Sequence, residues 1–232
     1  MYHSITFGDK NTWDNWHIVP TSRPVFNPPK QKTKFLEIEG GNSLIDLSEA
    51  LTGYPLYDNR EGSFEFVVMN DYKEWQEAYS DIADYIHGQK MRAVLEDDPY
   101  YFYEGRFYLN QWKSDKNNSF ITIDYNVVPY KTRTAYSNSG DIVLSGGTTP
   151  KEFTDIFYGK APVCPTFKIE TQNKKGLTIQ FYNRSLKLSV TKHVSDGTVQ
   201  IPEIVFYGDK VQLYFLATSS GTVNVTCTYG RL

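Results

Sequence analysis

The residues of this chain that could do chemistry are few and scattered. The densest set is Glu96-Asp97-Asp98 beside Tyr100-Tyr101-Phe102-Tyr103. Carboxylates next to aromatic rings are what sugar hydrolysis or calcium binding uses. Hydrolysis, however, needs two carboxyl groups facing each other across a substrate. Three consecutive acids ahead of Pro99 more simply make a solvated turn. The histidines, His3, His17, His87 and His193, form no HExxH or HxH pair. His87 falls where a helix is expected to end, a place that favours it through the helix dipole. There is no GxSxG elbow, Walker A or GxGxxG fingerprint, and Ser145-Gly146-Gly147 reads as linker. Cys164 and Cys227 lie far apart without CxxC spacing. A metal site needs more ligands than these, so two buried free thiols are expected. The expectation is a protein with no catalytic centre, no metal and no cofactor, and not an enzyme.

Composition narrows the class. The 232 residues suit one large or two small domains, and 40% of them are hydrophobic, which is a globular and not a disordered balance. Aromatics are abundant, with Tyr 18, Phe 14 and Trp 4, and such rings fit pleated, half-buried surfaces. Tyrosine also suits interfaces, having an apolar ring and a polar tip. The net charge is -3 and Lys and Arg are spread along the chain, so no basic tract is available to grip phosphate. The opening Met1-Tyr2-His3-Ser4-Ile5-Thr6-Phe7-Gly8-Asp9 lacks the charged and apolar regions of a signal peptide. No apolar stretch is long enough to cross a bilayer. Synthesis and residence in a cytosol-like compartment, without membrane insertion, are expected.

The pattern of elements is mainly β with one helix. Strands are expected at Thr33–Glu39, Ser63–Met69, Met91–Leu95 and Phe120–Val128, with a hairpin over Tyr100–Leu109 bent at Glu104-Gly105. Within Phe120–Val128, Ile121, Ile123, Tyr125 and Val127 share one face. A helix is expected from Tyr72 to His87, because Trp75, Tyr79, Ile82 and Ile86 recur at helical spacing. Asp71 and Glu74 would make a variant capping box, and Gly88 would end the helix. Residues from Pro129 to Pro150 are rich in Thr, Ser, Asn and Gly and read as a linker, with a short strand at Ile142-Val143-Leu144. Six strands follow, at Thr166–Thr171, Leu177–Tyr182, Leu186–Val190, Val199–Tyr207, Val211–Thr218 and Val223–Tyr229. The signals between them are Asn173-Lys174-Lys175-Gly176, Ser195-Asp196-Gly197, Gly208-Asp209 and Ser219-Ser220-Gly221. Short strands split by such turns suggest an antiparallel β-sandwich. The expected domains are residues 1–135 and 136–232.

One run goes beyond what a generic β domain requires. It is Gly41-Asn42-Ser43-Leu44-Ile45-Asp46-Leu47-Ser48-Glu49-Ala50-Leu51-Thr52-Gly53, followed by Tyr57-Asp58-Asn59-Arg60-Glu61. Phe7-Gly8-Asp9-Lys10-Asn11-Thr12-Trp13-Asp14-Asn15-Trp16 and Pro28-Pro29 stand before it. Leu95-Glu96-Asp97-Asp98-Pro99, Tyr103-Glu104-Gly105-Arg106 and Val128-Pro129-Tyr130-Lys131 stand after it. In this order the set resembles the distal tail proteins of siphophages of Gram-positive bacteria and of related prophages. The resemblance covers about residues 1–131. The second half is similar to that family only in being a compact β-sandwich, without an insertion of the kind that carries carbohydrate-binding modules in some members.

The resemblance implies a tail-tube-like β-sandwich or barrel domain with one helix, followed by a peripheral β-sandwich. It implies a homo-hexameric ring at the virion tail tip, assembled in the host cytoplasm. The ring would join the tail tube protein to the tail-tip or baseplate protein that meets the host, with the tape measure protein a further candidate partner. DNA would only pass through its channel. Ile45, Asp46, Leu47 and Leu51 would then form an intersubunit or inter-ring loop, or else pack within a folded loop. Arg60 and Glu61 would pair across a subunit boundary or form a solvated turn, and Trp13 and Trp16 would anchor on a neighbour or pack locally. The competing function is a carbohydrate-binding β-sandwich protein that contacts cell-wall glycans, with Tyr100–Tyr103 or the second sandwich as its platform.

Overall fold

The computed structural model describes residues 3–69, 75–114, 118–138, 141–156, 161–183, 188–207 and 210–232. The expected cap residues Asp71 and Glu74 and the expected turn Gly208-Asp209 lie outside them. The elements run β1 (Ile5–Phe7), β2 (Lys10–Asn11), β3 (Ile18–Pro20), β4 (Phe35–Glu37), β5 (Leu44–Asp46), β6 (Arg60–Val68), α1 (Trp75–Ile86), β7 (Lys90–Leu95), β8 (Tyr101–Ser114), β9 (Ser119–Val127) and β10 (Lys131–Asn138). They continue with β11 (Asp141–Ser145), β12 (Lys151–Ile156), β13 (Thr166–Thr171), β14 (Leu177–Asn183), β15 (Leu188–Val194), β16 (Gly197–Gln200), β17 (Lys210–Leu216) and β18 (Ser220–Arg231). The chain is mainly β with one helix among the described residues, as its alternation and aromatic content foretell.

Two compact units emerge. The first comprises residues up to Lys32, Tyr57–Thr134 and Leu232, and the second comprises Thr33–Leu56 and Ala135–Arg231. The expected boundary puts Thr33–Leu56 in the first domain, whereas its contacts group it with the second. One cause is Tyr54, whose ring lies 4.7 Å from that of Tyr207. Burial, and then Tyr207, push the Tyr54 phenol above its usual pKa.

In the first unit the strand order is β3-β6-β9-β8-β7-β1-β2, all antiparallel. Thr12, fully buried, ties its two ends together. Its hydroxyl accepts the Ile5 amide at 3.0 Å, its amide donates to the Ile5 carbonyl at 2.9 Å, and its carbonyl accepts the Ile18 amide at 3.0 Å. The sheet therefore wraps around one core. Strict alternation fills it: Phe64, Phe66 and Val68 of β6, Phe107 and Leu109 of β8, and Ile121, Ile123, Tyr125 and Val127 of β9. Phe7 meets Phe107 edge-on at 5.0 Å, a favourable aromatic geometry.

Helix α1 closes this core. Ala78, Ile82 and Ile86 are buried, and Trp75 and Tyr79 pack beside them half-buried. The expected apolar face is the one turned inward, with Ala78 added to it. Gly88 follows the helix and donates its amide to the Phe107 carbonyl at 2.8 Å, stitching the helix end to β8. His87 does more than sit at a dipole end: its Nδ1 accepts the Leu109 amide at 3.2 Å.

The expected hairpin bend at Glu104-Gly105 does not exist. Strand β8 runs unbroken from Tyr101 to Ser114, with a bulge between Leu109 and Gln111. Gly105 is needed for a close approach instead of a turn. A Cβ there would stand inside contact distance of the Asn126 carbonyl and the Val127 backbone, so the glycine marks where two backbones crowd together. The expected linker from Pro129 to Pro150 is likewise largely strand, in β10 and β11, the latter containing the expected Ile142-Val143-Leu144.

Among the described residues the second unit holds, besides the two-stranded β4-β5 sheet, two larger sheets, β11-β18-β13-β16 and β12-β17-β14-β15. The inner residues of these two larger sheets share one core, with Phe167 of β13 6.3 Å from Phe215 of β17. This is an antiparallel sandwich, as expected. The expected strand Val199–Tyr207 stops at Gln200. Pro202 has no amide for a ladder, and a turn follows in which the Ile204 amide donates to the Ile201 carbonyl at 2.9 Å. Strand β12 escapes the sequence pattern, because its two large apolar residues, Phe153 and Ile156, are three apart and do not alternate.

Candidate assembly surface

The acidic turn is fully employed in structure. The Glu96 carboxylate accepts the Ser4 amide at 2.8 Å and the Ser4 hydroxyl at 3.2 Å. Asp97 accepts Arg23 Nε at 2.7 Å and stands 3.0 Å from His3 Nδ1. Asp98 pairs with Lys131 Nζ at 2.6 Å. Although burial pushes the Asp97 carboxyl upward, its bonds from Arg23 and His3 hold it below the ordinary value. Each carboxylate braces a different neighbour, so the three do not face one another across a cleft. No group of three or more His, Cys, Asp or Glu side chains suited to a metal occurs among the described residues. Cys227 is buried and Cys164 half-buried, and neither is in a disulfide. No described helix is long and apolar enough to cross a membrane.

The conspicuous surface lies elsewhere, on the β4–β5 hairpin and the turns after it. Phe35 pairs with Asp46, Leu36 with Ile45 and Glu37 with Leu44. Phe35 is 52% exposed, Leu44 60% and Leu51 91%, and Leu36, Ile38, Ile45 and Leu56 are exposed as well. This arm is folded and not a random loop. The Leu47 amide donates to the Lys34 carbonyl at 2.8 Å, and the Ser48 hydroxyl accepts the Lys34 amide at 2.9 Å. Asp46 accepts the Ser48 amide at 2.9 Å and its hydroxyl as well. The bond from the Ser48 hydroxyl is the main reason its carboxyl lies below the usual range. A two-stranded ribbon has no second layer on which to bury both faces. Each face of the ribbon carries exposed apolar side chains, Leu36 and Ile45 on one and Phe35 and Leu44 on the other.

Of the residues singled out from sequence, Ile45, Asp46 and Leu51 are exposed on this arm, and Leu47 is half-buried within it. Phe35, Leu36, Ile38 and Leu56, exposed as well, are not among the residues that the sequence singles out. The adjacent pair Phe35-Leu36 was the available signal, since neighbouring strand residues point to opposite faces.

Arg60 is neither a solvated turn residue nor an exposed boundary charge. It is 5% exposed. Its Nε donates to the Pro129 carbonyl at 2.7 Å, and its Nη1 to the Asn27 carbonyl at 2.9 Å and the Phe26 carbonyl at 3.5 Å. The guanidinium lies 5.5 Å from the Tyr103 ring. Burial lowers its pKa, opposed by Tyr103 and Tyr125, yet an arginine stays charged in proteins. Glu61 is exposed, and its carboxylate accepts Asn126 Nδ2 at 2.7 Å. Gly62 leaves room for Asn27 and Tyr125, which a Cβ there would strike.

Trp16, also offered as an anchor on a neighbour, is 5% exposed and packs edge-on to Tyr85 at 5.6 Å, so its place is the core. Lys10 Nζ lies over Tyr85 at 4.5 Å. Tyr85 donates to Asp9 and to the Phe7 carbonyl. The Phe7–Trp16 run is thus a packing motif of the first unit. Trp13 is half-buried, 5.5 Å from the His17 ring.

No family model and no curated protein sequence matches the chain. A solved structure does. The Dit protein (gp 19.1) of phage SPP1, described as a paradigm of the hub adsorption apparatus in Gram-positive-infecting phages, matches with a TM-score of 0.68 at 14% identity, over 100% of both chains. The chain has the fold of that hub protein over its full length, where the resemblance in sequence covers about residues 1–131.

Proposed function

We propose that this chain is a structural component of a phage tail tip, a distal tail protein that assembles with copies of itself into a hexameric ring. The observation that carries this reading is the end-to-end likeness in fold to a phage hub protein. The arm supports self-association: it displays apolar side chains on a hydrogen-bonded frame, and a second copy is the partner always present during assembly. The ring joins the tail tube protein to the tail-tip or baseplate protein, with the tape measure protein as a further neighbour, and it sits at the virion tail tip after assembly in the host cytoplasm. Its channel passes DNA without gripping it. The outward face of β6-β9-β8-β7 suits such a wall, because it mixes both signs of charge: Lys90 lies 2.7 Å and Arg92 3.6 Å from Glu104, and Arg106, Asp124 and Glu61 share that face. The role is mechanical and involves no catalysis.

The test is assembly. Sedimentation velocity and negative-stain microscopy of the full chain, alone at high concentration and mixed with the tail tube protein, are expected to show closed rings. The triple variant Leu36→Ser, Ile45→Ser, Leu51→Ser is expected to remain monomeric while keeping its fold. A wild-type chain that stays monomeric under both conditions overturns the proposal.

A further inference from the structure

We propose that Arg60 is a latch: its guanidinium ties together, within the first unit, three segments that lead to or from three of the four places where the chain passes between its two units. The chain leaves the first unit after Lys32, returns at Tyr57 and leaves again after Thr134. Phe26 and Asn27 precede the first crossing, Arg60 follows the second, and Pro129 precedes the third. These are the segments that the guanidinium joins, through bonds of 2.7 Å to Pro129, 2.9 Å to Asn27 and 3.5 Å to Phe26.

The chemistry singles out arginine. A planar fork with donors in several fixed directions can hold carbonyls on separate segments, whereas an ammonium is a compact point charge. Burying a cation is costly unless its hydrogen bonds are satisfied, so a site that merely filled space would have used an apolar side chain. The surroundings complete the clamp. The Asn27 amide donates to Tyr125 Oη at 2.8 Å, and Asn27 Nδ2 donates to the Glu61 carbonyl at 2.9 Å. Beyond Asn27, the Asp58 amide donates to the Lys30 carbonyl at 2.8 Å and Gln31 bridges Tyr57. The Tyr57 and Tyr130 rings meet edge-on at 5.8 Å, joining the second crossing to the third. With the fork bonded, the root of the arm and the approach to the third crossing are held against β6. With it broken, all three segments are released together.

Hydrogen exchange read by mass spectrometry on the full chain tests this. Arg60→Lys keeps the charge and the stem but loses the fork. Peptides spanning 27–33, 56–60 and 128–134 are expected to exchange faster together, by about tenfold or more, as local opening becomes independent of global unfolding. Peptides from the centres of β8, β9 and the sandwich are expected to be unchanged. Arg60→Met, which removes the charge, is expected to give the same pattern more strongly; if it does not fold, Arg60→Lys decides alone. A uniform rise across the first unit would make Arg60 an ordinary core residue, and a rise in none or only one of the three segments would equally overturn the latch. The measurement is made on monomer, so its failure is distinct from a failure of ring assembly.

Discussion

Strand β6 and the β4–β5 hairpin draw on the same kinds of residue and meet opposite fates. In β6, Phe64, Phe66 and Val68 alternate with Glu65 and Val67, and the strand lies between β3 and β9. Its apolar side is buried because helix α1 and the wrapped sheet supply a second layer. In the hairpin, Phe35, Leu36, Leu44 and Ile45 lie on two short strands that pair with each other, and all four stay exposed. The difference lies in what the chain folds over each surface. Burial in β6 serves the stability of one chain, whereas the apolar side chains of the arm remain in water.

Three measurements would break or sharpen that contrast, in addition to the tests above. The largest effect belongs to the core. Phe107 is fully buried against Phe7, so Phe107→Ala is expected to cost about 3–5 kcal/mol in denaturant unfolding. A loss under about 1 kcal/mol would mean that the core collapses readily around the gap, and that its packing is less specified than its alternation implies.

A smaller, pH-dependent effect is expected in the sandwich. Asp196 accepts the Thr171 hydroxyl at 2.7 Å, the Thr171 amide at 2.6 Å and the Gly176 amide at 2.9 Å. These bonds, that from the Thr171 hydroxyl first, hold its carboxyl below the ordinary value. A carboxyl more acidic when folded than when unfolded contributes stability above the unfolded pKa, near pH 4, and loses it as pH falls through the folded value. Amides of β13 and β14 are therefore expected to lose exchange protection on acidification below about pH 4. Asp196→Asn should lower their protection at neutral pH and flatten that acid slope. Identical slopes in the two proteins would remove Asp196 as the cause.

The smallest effect belongs to the arm. Leu51→Ser or Ile45→Ser alone is expected to change the stability of the isolated chain by no more than about 0.5 kcal/mol, as exposed substitutions do. A cost near that of Phe107→Ala would show that the arm packs on its own chain and is not a surface in waiting.

The sequence by itself determined the material of the fold and the character of the chain. The alternation of Ile121, Ile123, Tyr125 and Val127 determined a buried strand face, and the spacing of Trp75, Tyr79, Ile82 and Ile86 determined the helix and its inward side. Such periodicities are local, because a strand repeats every two residues and a helix every 3.6. The run Ile45-Asp46-Leu47 through Leu51 stood out without revealing that Phe35 and Leu36 share its hairpin. Tertiary structure alone decided where distant segments meet. Gly105 has the same composition signal in a turn as in a crowded strand, and only the approach of Asn126 and Val127 distinguishes them. Arg60 reads as a surface charge until Phe26, Asn27 and Pro129 converge on it. Trp16 and Leu51 are both large and apolar, yet one is buried and the other bare. Hydrophobicity says what a side chain gains by leaving water; only the fold determines whether the same chain or another copy supplies the cover.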